Sequence, residues 1–198
     1  MEQQIFRGTS VQRLPSVQVT AGDWTYFPRI RELCALRFGS GYVDEADFSR
    51  WMEHPDLVQI ALVNGEFAGM AVLLPASDGE IAGKMGMTEG EVRKITGGRP
   101  AVIYKSIALR PQYEKHGLGR NIVLDGLRRA EDKGYCAVFI AAWMYNGLIP
   151  AQRMLQSLGF TELYRRKMLW YGDEKYRCIA CGGRCVCDGM IYYKRLEA

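Results

Sequence analysis

The unbroken apolar run from Cys136 to Met144 constrains this chain more than any other stretch. It is far too short to cross a bilayer. Over Cys136–Trp143 both faces of a two-residue repeat are apolar, so a strand here is buried on both sides and its sheet needs cover above and below. At 198 residues the chain can supply that cover as one compact domain. With 48% hydrophobic and 24% charged residues, it has the balance of an ordinary globular protein.

The remaining elements follow from periodicity and punctuation. Residues 1–16 read as an arm or a short strand, and Val17–Thr20 as a first strand. Asp23–Phe38 carries Phe27, Ile30, Leu33, Cys34 and Phe38 at helical spacing, with Pro28 confined to the first turn. A second short helix starts at Asp44 or Asp47 and stops before Pro55. Leu57–Val63 and Phe67–Leu74 flank Asn64-Gly65, the strongest short signal for a hairpin with a type I′ turn. Residues 75–100 read as an insertion with one helix, Glu89–Ile95, whose capping box is Thr88 with Glu91. Strands at Ala101–Leu109, Phe160–Trp170 and Met190–Arg195 and helices at Gly119–Lys133 and Pro150–Leu158 complete an α/β sandwich around a mixed sheet.

The stretch Ile107–Asn121 carries the chemistry. A strand ends, a polar turn follows, and Gly117 and Gly119 open an amphipathic helix. Such a turn aims successive backbone N–H groups at one point, where the helix end adds about half a positive charge. A side chain at either glycine would block a diphosphate, while Lys115, His116 and Arg120 bring positive or titratable groups. There is no third glycine at dinucleotide-fold spacing and no Gly-Lys-Ser/Thr ending.

In this setting the chain resembles the Gcn5-related N-acetyltransferase (GNAT) superfamily over roughly residues 17–171. The family's cofactor loop, Gln/Arg-x-x-Gly-x-Gly/Ala, aligns with Glu114 to Gly119, with Glu in place of Gln or Arg. The family's Pro-Ala-x-x-Leu-Tyr-x-x-x-Gly-Phe pattern aligns with Pro150 to Phe160. The resemblance implies an α/β (α+β) fold with a mixed, mostly antiparallel central sheet and helices on both faces. It implies acetyl-CoA as co-substrate and an amine as its partner. Ile107, Ala108 and Leu109 would meet the pantetheine arm. Glu114, Lys115, His116, Gly117, Leu118, Gly119 and Arg120 would cradle the pyrophosphate. The strand starting at Cys136 would splay from Ala101–Leu109 and leave a gap for the thioester.

Acylating an amine needs a proton acceptor for the amine and an acid for the departing thiolate. The Tyr that many family members use as acid falls on Leu155, which has no proton to give, and the family Asn falls on Leu148. Tyr145 and Asn146 lie just upstream, where an irregular loop would bring either to the thioester. Tyr145 is thus the candidate acid and Asn146 a candidate cofactor contact, against the plain reading of an aromatic packed at a strand end. Tyr104, Ser106, Glu53, His54 and Glu80 are the residues considered for a base. An aromatic wall of Trp24, Tyr26, Phe27, Phe38, Tyr42, Phe48 and Trp51 reads first as helix-to-sheet packing, and second as an acceptor pocket.

A second feature is Cys178-x-x-Cys181-Gly-Gly-Arg-Cys185-x-Cys187. A Cys-x-x-Cys followed by glycines makes a knuckle in which backbone N–H groups face thiolates, and four thiolates close a tetrahedral structural zinc site. An iron–sulfur cluster, disulfides and a redox pair are the alternatives. The Cys185-x-Cys187 half is tighter than a second Cys-x-x-Cys, and the expectation is that an extended Cys-x-Cys puts its two sulfurs on opposite faces unless a bulge turns one round. Cys34 and Cys136 sit in apolar periodic runs as core residues. The expected division is residues 1–171 as the acetyltransferase domain and 172–198 as a cysteine-rich extension with the final strand.

A net charge of +4 suits an anionic ligand but not nucleic acid. No apolar leader is visible and no membrane partner is expected, so the expected location is the cytoplasm; a homodimer is compatible with the reading. Three functions compete: an N-acetyltransferase acting on a small molecule or peptide, a non-catalytic acyl-CoA sensor, and a zinc-ribbon interaction module fringed by Arg177, Arg184, Lys194 and Arg195.

Overall fold

A computed structural model describes residues 16–197, so all of the stretch read as an N-terminal arm except Ser16 lies outside the described residues. Strands β1 (Val17–Ala21), β2 (Val58–Val63), β3 (Glu66–Ala76), β4 (Ala101–Leu109), β5 (Ala137–Met144), β6 (Thr161–Arg166) and β7 (Asp188–Arg195) form one sheet in the order β1-β2-β3-β4-β5-β7-β6. All neighbours pair antiparallel except β4 and β5. The helices are α1 (Phe27–Arg37), α2 (Glu45–Trp51), α3 (Asp78–Met85), α4 (Glu89–Thr96), α5 (Leu118–Asp132) and α6 (Gln152–Ser157).

Local chemistry explains most of these boundaries. Asn64 and Gly65 have φ of 52° and 79°, the two left-handed positions of the type I′ turn joining β2 to β3. Asp44 caps α2 in a capping box with Asp47. The insertion holds two helices and not one. Ser77 and Glu80 form a capping box identical in kind to that of Thr88 and Glu91, and α3 and α4 end on Gly86 and Gly97 in left-handed conformation. Near the C-terminus the expected elements shorten. Pro150 lies in the turn before α6, and β6 stops at Arg166, with turns from there to Trp170.

The cover on β5 is two-sided, as its composition requires. On one face α5 and α6 bury Ile122, Val123, Leu127 and Leu155 against Ala71, Leu73, Val102, Val138 and Ile140. On the other, α1 and α2 bury Ile30, Leu33, Phe48 and Trp51 against Ile60, Met70 and Val72. The α3–α4 pair extends that layer over Ile103, Phe139 and Ile191. The final strand, β7, lies inside the sheet between β5 and β6, so the segment that follows residue 171 contributes an interior strand.

One interruption positions the site. Val72 pairs with Ser106 while Leu73 pairs with Tyr104, so Lys105 is the extra residue of a bulge in β4. Parallel pairing between β4 and β5 covers only Val102–Tyr104 with Val138–Ile140, although both strands continue. Beyond the bulge the strands part, and the β5-facing backbone edge of residues 105–109 has no strand partner among the described residues.

Candidate functional site

The opening between β4 and β5 lies beside the start of α5. After β4 the chain makes a 3-10 turn at Pro111–Tyr113, passes Lys115 at φ 63° and Gly117 at φ 80°, and enters the helix. Among the described residues no side chain caps α5, whose first backbone bond runs from Asn121 N–H to the Gly117 carbonyl at 3.1 Å. The N–H groups of Leu118, Gly119 and Arg120 therefore stand at a helix end that carries positive potential.

The two glycines are needed for different reasons. At Gly117 a Cβ would meet nothing within 4 Å, and the left-handed backbone is what demands glycine. At Gly119 a Cβ would lie 3.6 Å from Leu109 Cδ1 and 3.8 Å from Met154 Sδ, which is ordinary contact. The protein has room for alanine there, so its own packing does not require glycine.

The loop is tied down from below. Glu114 pairs with Arg37 at the end of α1. Arg110 pairs with Glu32 at 3.0 Å, and the Tyr113 hydroxyl donates to Glu66 at 3.3 Å. The Glu that replaces the family's Gln or Arg is thus an anchor whose charge is balanced. Lys115 and Arg120 are exposed and His116 is half-buried.

The side chains of Ile107 and Leu109 pack toward α5, and that of Ala108 toward α1. Past the end of β5, Tyr145 N–H donates to the Leu148 carbonyl and Leu148 N–H to the Tyr145 carbonyl, both at 3.0 Å. Asn146 and Gly147 between them have φ of 50° and 76°. The expected irregular loop is a tight turn, which gives Asn146 a conformational reason to be Asn. The turn presents Tyr145, 41% exposed, with its ring stacked on Trp143 at 5.8 Å between centroids and 5° between planes. Leu155, where the family places its acid, is fully buried in the α5–α6 core.

The residues considered for a base separate sharply. The Tyr104 hydroxyl is buried under α5 beside Gly126, and burial holds its pKa far above the ordinary range. Glu53 and His54 adjoin Asp56, which pairs with Lys133 beyond the far end of α5 from the loop. Glu80 is a capping residue held ionised chiefly by the Ser77 backbone N–H. Ser106 remains: its Oγ lies 2.7 Å from the Tyr42 hydroxyl, on the bulged part of β4. Sequence reasoning named both residues without pairing them, because no local signal joins positions 64 apart.

The four cysteines converge. The sulfurs of Cys178, Cys181, Cys185 and Cys187 all lie within 4.8 Å of one another, with Cys181 to Cys187 at 3.4 Å and Cys178 to Cys187 at 3.9 Å. A tetrahedron with zinc–sulfur bonds of about 2.3 Å has sulfur–sulfur edges of about 3.8 Å. Cys178 N–H donates to the Gly183 carbonyl at 2.8 Å, Gly182 N–H to the Cys178 carbonyl at 3.0 Å, and Val186 N–H to Cys181 Sγ at 3.4 Å. Burial disfavours the Cys178 thiolate, but the N–H groups of Cys181 and Ala180 help outweigh it and bring the thiol down to about 7. The expected need for a bulge fails. Cys185 and Cys187 are buried while Val186 is 54% exposed, because alternate residues of an extended segment already share a face. Cys34, pushed up to about 12 by burial, and Cys136, whose thiol donates to the Thr96 carbonyl at 3.4 Å, are core residues.

The cysteine segment docks on the α1–α2 connection. Arg177 N–H donates to the Ser40 carbonyl at 2.8 Å, Ile179 N–H to that of Phe38 at 2.9 Å, and the Tyr176 hydroxyl to Phe38 at 2.8 Å. Lys175 binds Asp44 at 2.8 Å and also Asp47. A Cβ on Gly39 would sit 1.8 Å from the Arg177 carbonyl oxygen, so only glycine lets the two backbones meet.

Comparison with known proteins agrees with the fold. The family model described as Acetyltransferase (GNAT) family matches residues 24–160. No curated protein matches the chain by sequence. Among solved structures, Arabidopsis thaliana Naa50 in complex with the bisubstrate analogue CoA-Ac-MVNAL is similar in fold, with TM-score 0.66, 13% identity, and coverage of 91% of this chain and 99% of that one. The ribosomal-protein-S18-alanine N-acetyltransferase of Escherichia coli has TM-score 0.62 at 17% identity, covering 92% and 96%. A GNAT family acetyltransferase from Elizabethkingia anophelis with acetyl-CoA bound has TM-score 0.62 at 17% identity, covering 92% and 99%.

Proposed function

The chain belongs to the acetyltransferase (GNAT) family, and from that premise we propose that it moves an acetyl group from acetyl-CoA to a primary amine of a small molecule or peptide. The observation that carries this reading is the conjunction of two features. A sheet opens between β4 and β5, and the uncapped, glycine-started helix α5 begins beside the opening. Diphosphate oxygens accept from the N–H groups of Leu118, Gly119 and Arg120, with Lys115 and Arg120 adding charge. The pantetheine amides take the free β4 edge at Ile107–Leu109 as a missing strand would.

With the thioester in the opening, the amine nitrogen attacks its carbonyl carbon and forms the carbon–nitrogen bond. The oxyanion is met by backbone N–H groups left free by the parting of β4 from β5. The ammonium proton leaves to solvent water, either directly or relayed through the Tyr42–Ser106 hydroxyl pair, each hydroxyl releasing its own proton as it takes one up. The carbon–sulfur bond then breaks, and the Tyr145 hydroxyl donates to the departing thiolate before regaining a proton from water.

The four thiolates are read as holding zinc with no open position, hence as a structural ion, in a reducing compartment such as the cytoplasm. Among the described residues, no helix is long and apolar enough to cross a membrane. A second reading, acyl-CoA sensing without turnover, is favoured by one observation: the family's acid position is occupied by fully buried Leu155.

A screen of amino acids, polyamines and peptides with acetyl-CoA, read by product mass, tests the proposal. An acetylated amine supports it. Tight acetyl-CoA binding with no product across the panel favours the sensor, and no acetyl-CoA binding sinks both.

A further inference from the structure

The cysteine cluster touches both sides of the opening. On one side Tyr176 meets Tyr42 edge-to-face at 5.6 Å, and Tyr42 in turn bonds Ser106 on the bulged part of β4. On the other, the cluster packs against Trp143 at the end of β5, whose ring carries Tyr145. The Trp143 indole nitrogen is buried and faces the Cys187 sulfur. Between these two contacts the segment clasps the α1–α2 connection through backbone bonds at Ser40 and Phe38. The connection between β6 and β7 is therefore a bridge from one lip of the opening to the other, with the four sulfurs as its keystone.

We propose that a zinc ion held by Cys178, Cys181, Cys185 and Cys187 fixes the wall against which the acceptor amine binds, so that metal occupancy controls acceptor binding while acetyl-CoA binding is independent of it. The acceptor half rests on the acetyl-transfer reading; the metal half does not. The physical reason lies in the segment itself. Between β6 and β7 it has no regular secondary structure; hydrogen bonds to Ser40 and Phe38 and the Lys175 ion pairs dock its first half, while from Cys178 onward its buried side chains are the cysteines, so metal–sulfur bonds would order that half. The cofactor loop is anchored by side chains of α1 and β3 (Arg37 to Glu114, Glu32 to Arg110, Glu66 to Tyr113), and none of these bonds is made by the cysteine segment. Tyr42 and Trp143 act here as positioning residues.

The experiment uses the full chain expressed with zinc. Elemental analysis is expected to find about one zinc per chain, and cobalt exchange should give the absorption of a tetrahedral tetrathiolate site. Cys181→Ser should lose the metal, raise the acceptor KM about tenfold or more, and leave the calorimetric Kd for acetyl-CoA within about twofold. Cys181→His, which keeps a ligand, should restore metal and acceptor KM together. If Cys181→Ser does not fold, brief chelation of the wild type replaces it, with Trp fluorescence reporting the cluster through Trp143. Absence of metal from protein with four reduced thiols overturns the site. Metal loss with an unchanged acceptor KM overturns the coupling. A zinc-loaded protein that binds acetyl-CoA and acetylates nothing overturns the acetyl-transfer reading and the acceptor half with it, while the metal site stands.

Discussion

Replacing Gly119 by Ala separates a glycine kept for the fold from one kept for a ligand. Within the protein the new methyl group makes contacts of 3.6 and 3.8 Å with Leu109 and Met154, neither of which has to move. Gly119 lies in the first turn of α5, where Ala has a helix-propensity advantage of up to about 1 kcal/mol. Stability should therefore hold or rise, with Tm moving up by about 0–4 °C for a domain of this size. A bound diphosphate would meet the methyl group over the helix end and lose one or two charge-assisted hydrogen bonds, each worth about 1.5–3 kcal/mol. The Kd for acetyl-CoA should rise by about tenfold for the smallest such loss and about ten-thousandfold for the largest, read by calorimetry beside a thermal melt. Gly117→Ala is the contrast. Its methyl group has open space, but φ of 80° costs a non-glycine residue about 1–2 kcal/mol, so this variant should lose stability. An unchanged Kd in Gly119→Ala, in protein that melts normally, would refute the assignment of the diphosphate to this loop.

Other consequences can be checked as directly. Gly126→Ala puts a methyl group 2.5 Å from the Tyr104 hydroxyl and 2.8 Å from Leu73, and should destabilise by about 1–3 kcal/mol in a denaturant titration. Tyr145→Phe keeps the stack on Trp143 but removes the proton, so kcat should fall about tenfold to a hundredfold at unchanged acetyl-CoA affinity; an unaltered kcat assigns the ring to packing. The Asp44 carboxyl is brought down to about 2, first by its bond from Lys175 and then by the Asp47 N–H. Because its folded pKa lies below the ordinary 3.8, its contribution is complete above about pH 4 and is lost as pH falls toward 2. Asp44→Asn should therefore flatten that part of the Tm-against-pH curve, and an unchanged curve would count against the ion pair.

The parts legible in the sequence were those whose cause is local. Asn64-Gly65 specifies its turn because both central residues need positive φ, and Gly117 specifies a left-handed step into α5 for the same reason. Cys178 and Cys181 share a knuckle through bonds closing within six residues. Even the overlooked helix α3 was readable, since Ser77 and Glu80 repeat the capping box of Thr88 and Glu91; Gly79 and Gly83 masked it. The same was true of Asn146-Gly147, a second turn of the Asn64-Gly65 kind.

What the sequence by itself determined is a sandwich around a doubly covered strand, a glycine-started α5 without a capping side chain, and a four-thiol cluster. Each depends on periods and turns a few residues long. Which base candidates stand near the opening was decided only by tertiary structure: Tyr42 reaches Ser106, while Glu53 and His54 lie at the far end of α5. So was the place of the cysteines, which follows from β7 inserting between β5 and β6 and carrying the preceding loop onto the α1–α2 connection. Strand order and the parting of β4 from β5 arise from pairings between residues far apart in the chain, where one bulge at Lys105 sets which edge stays free.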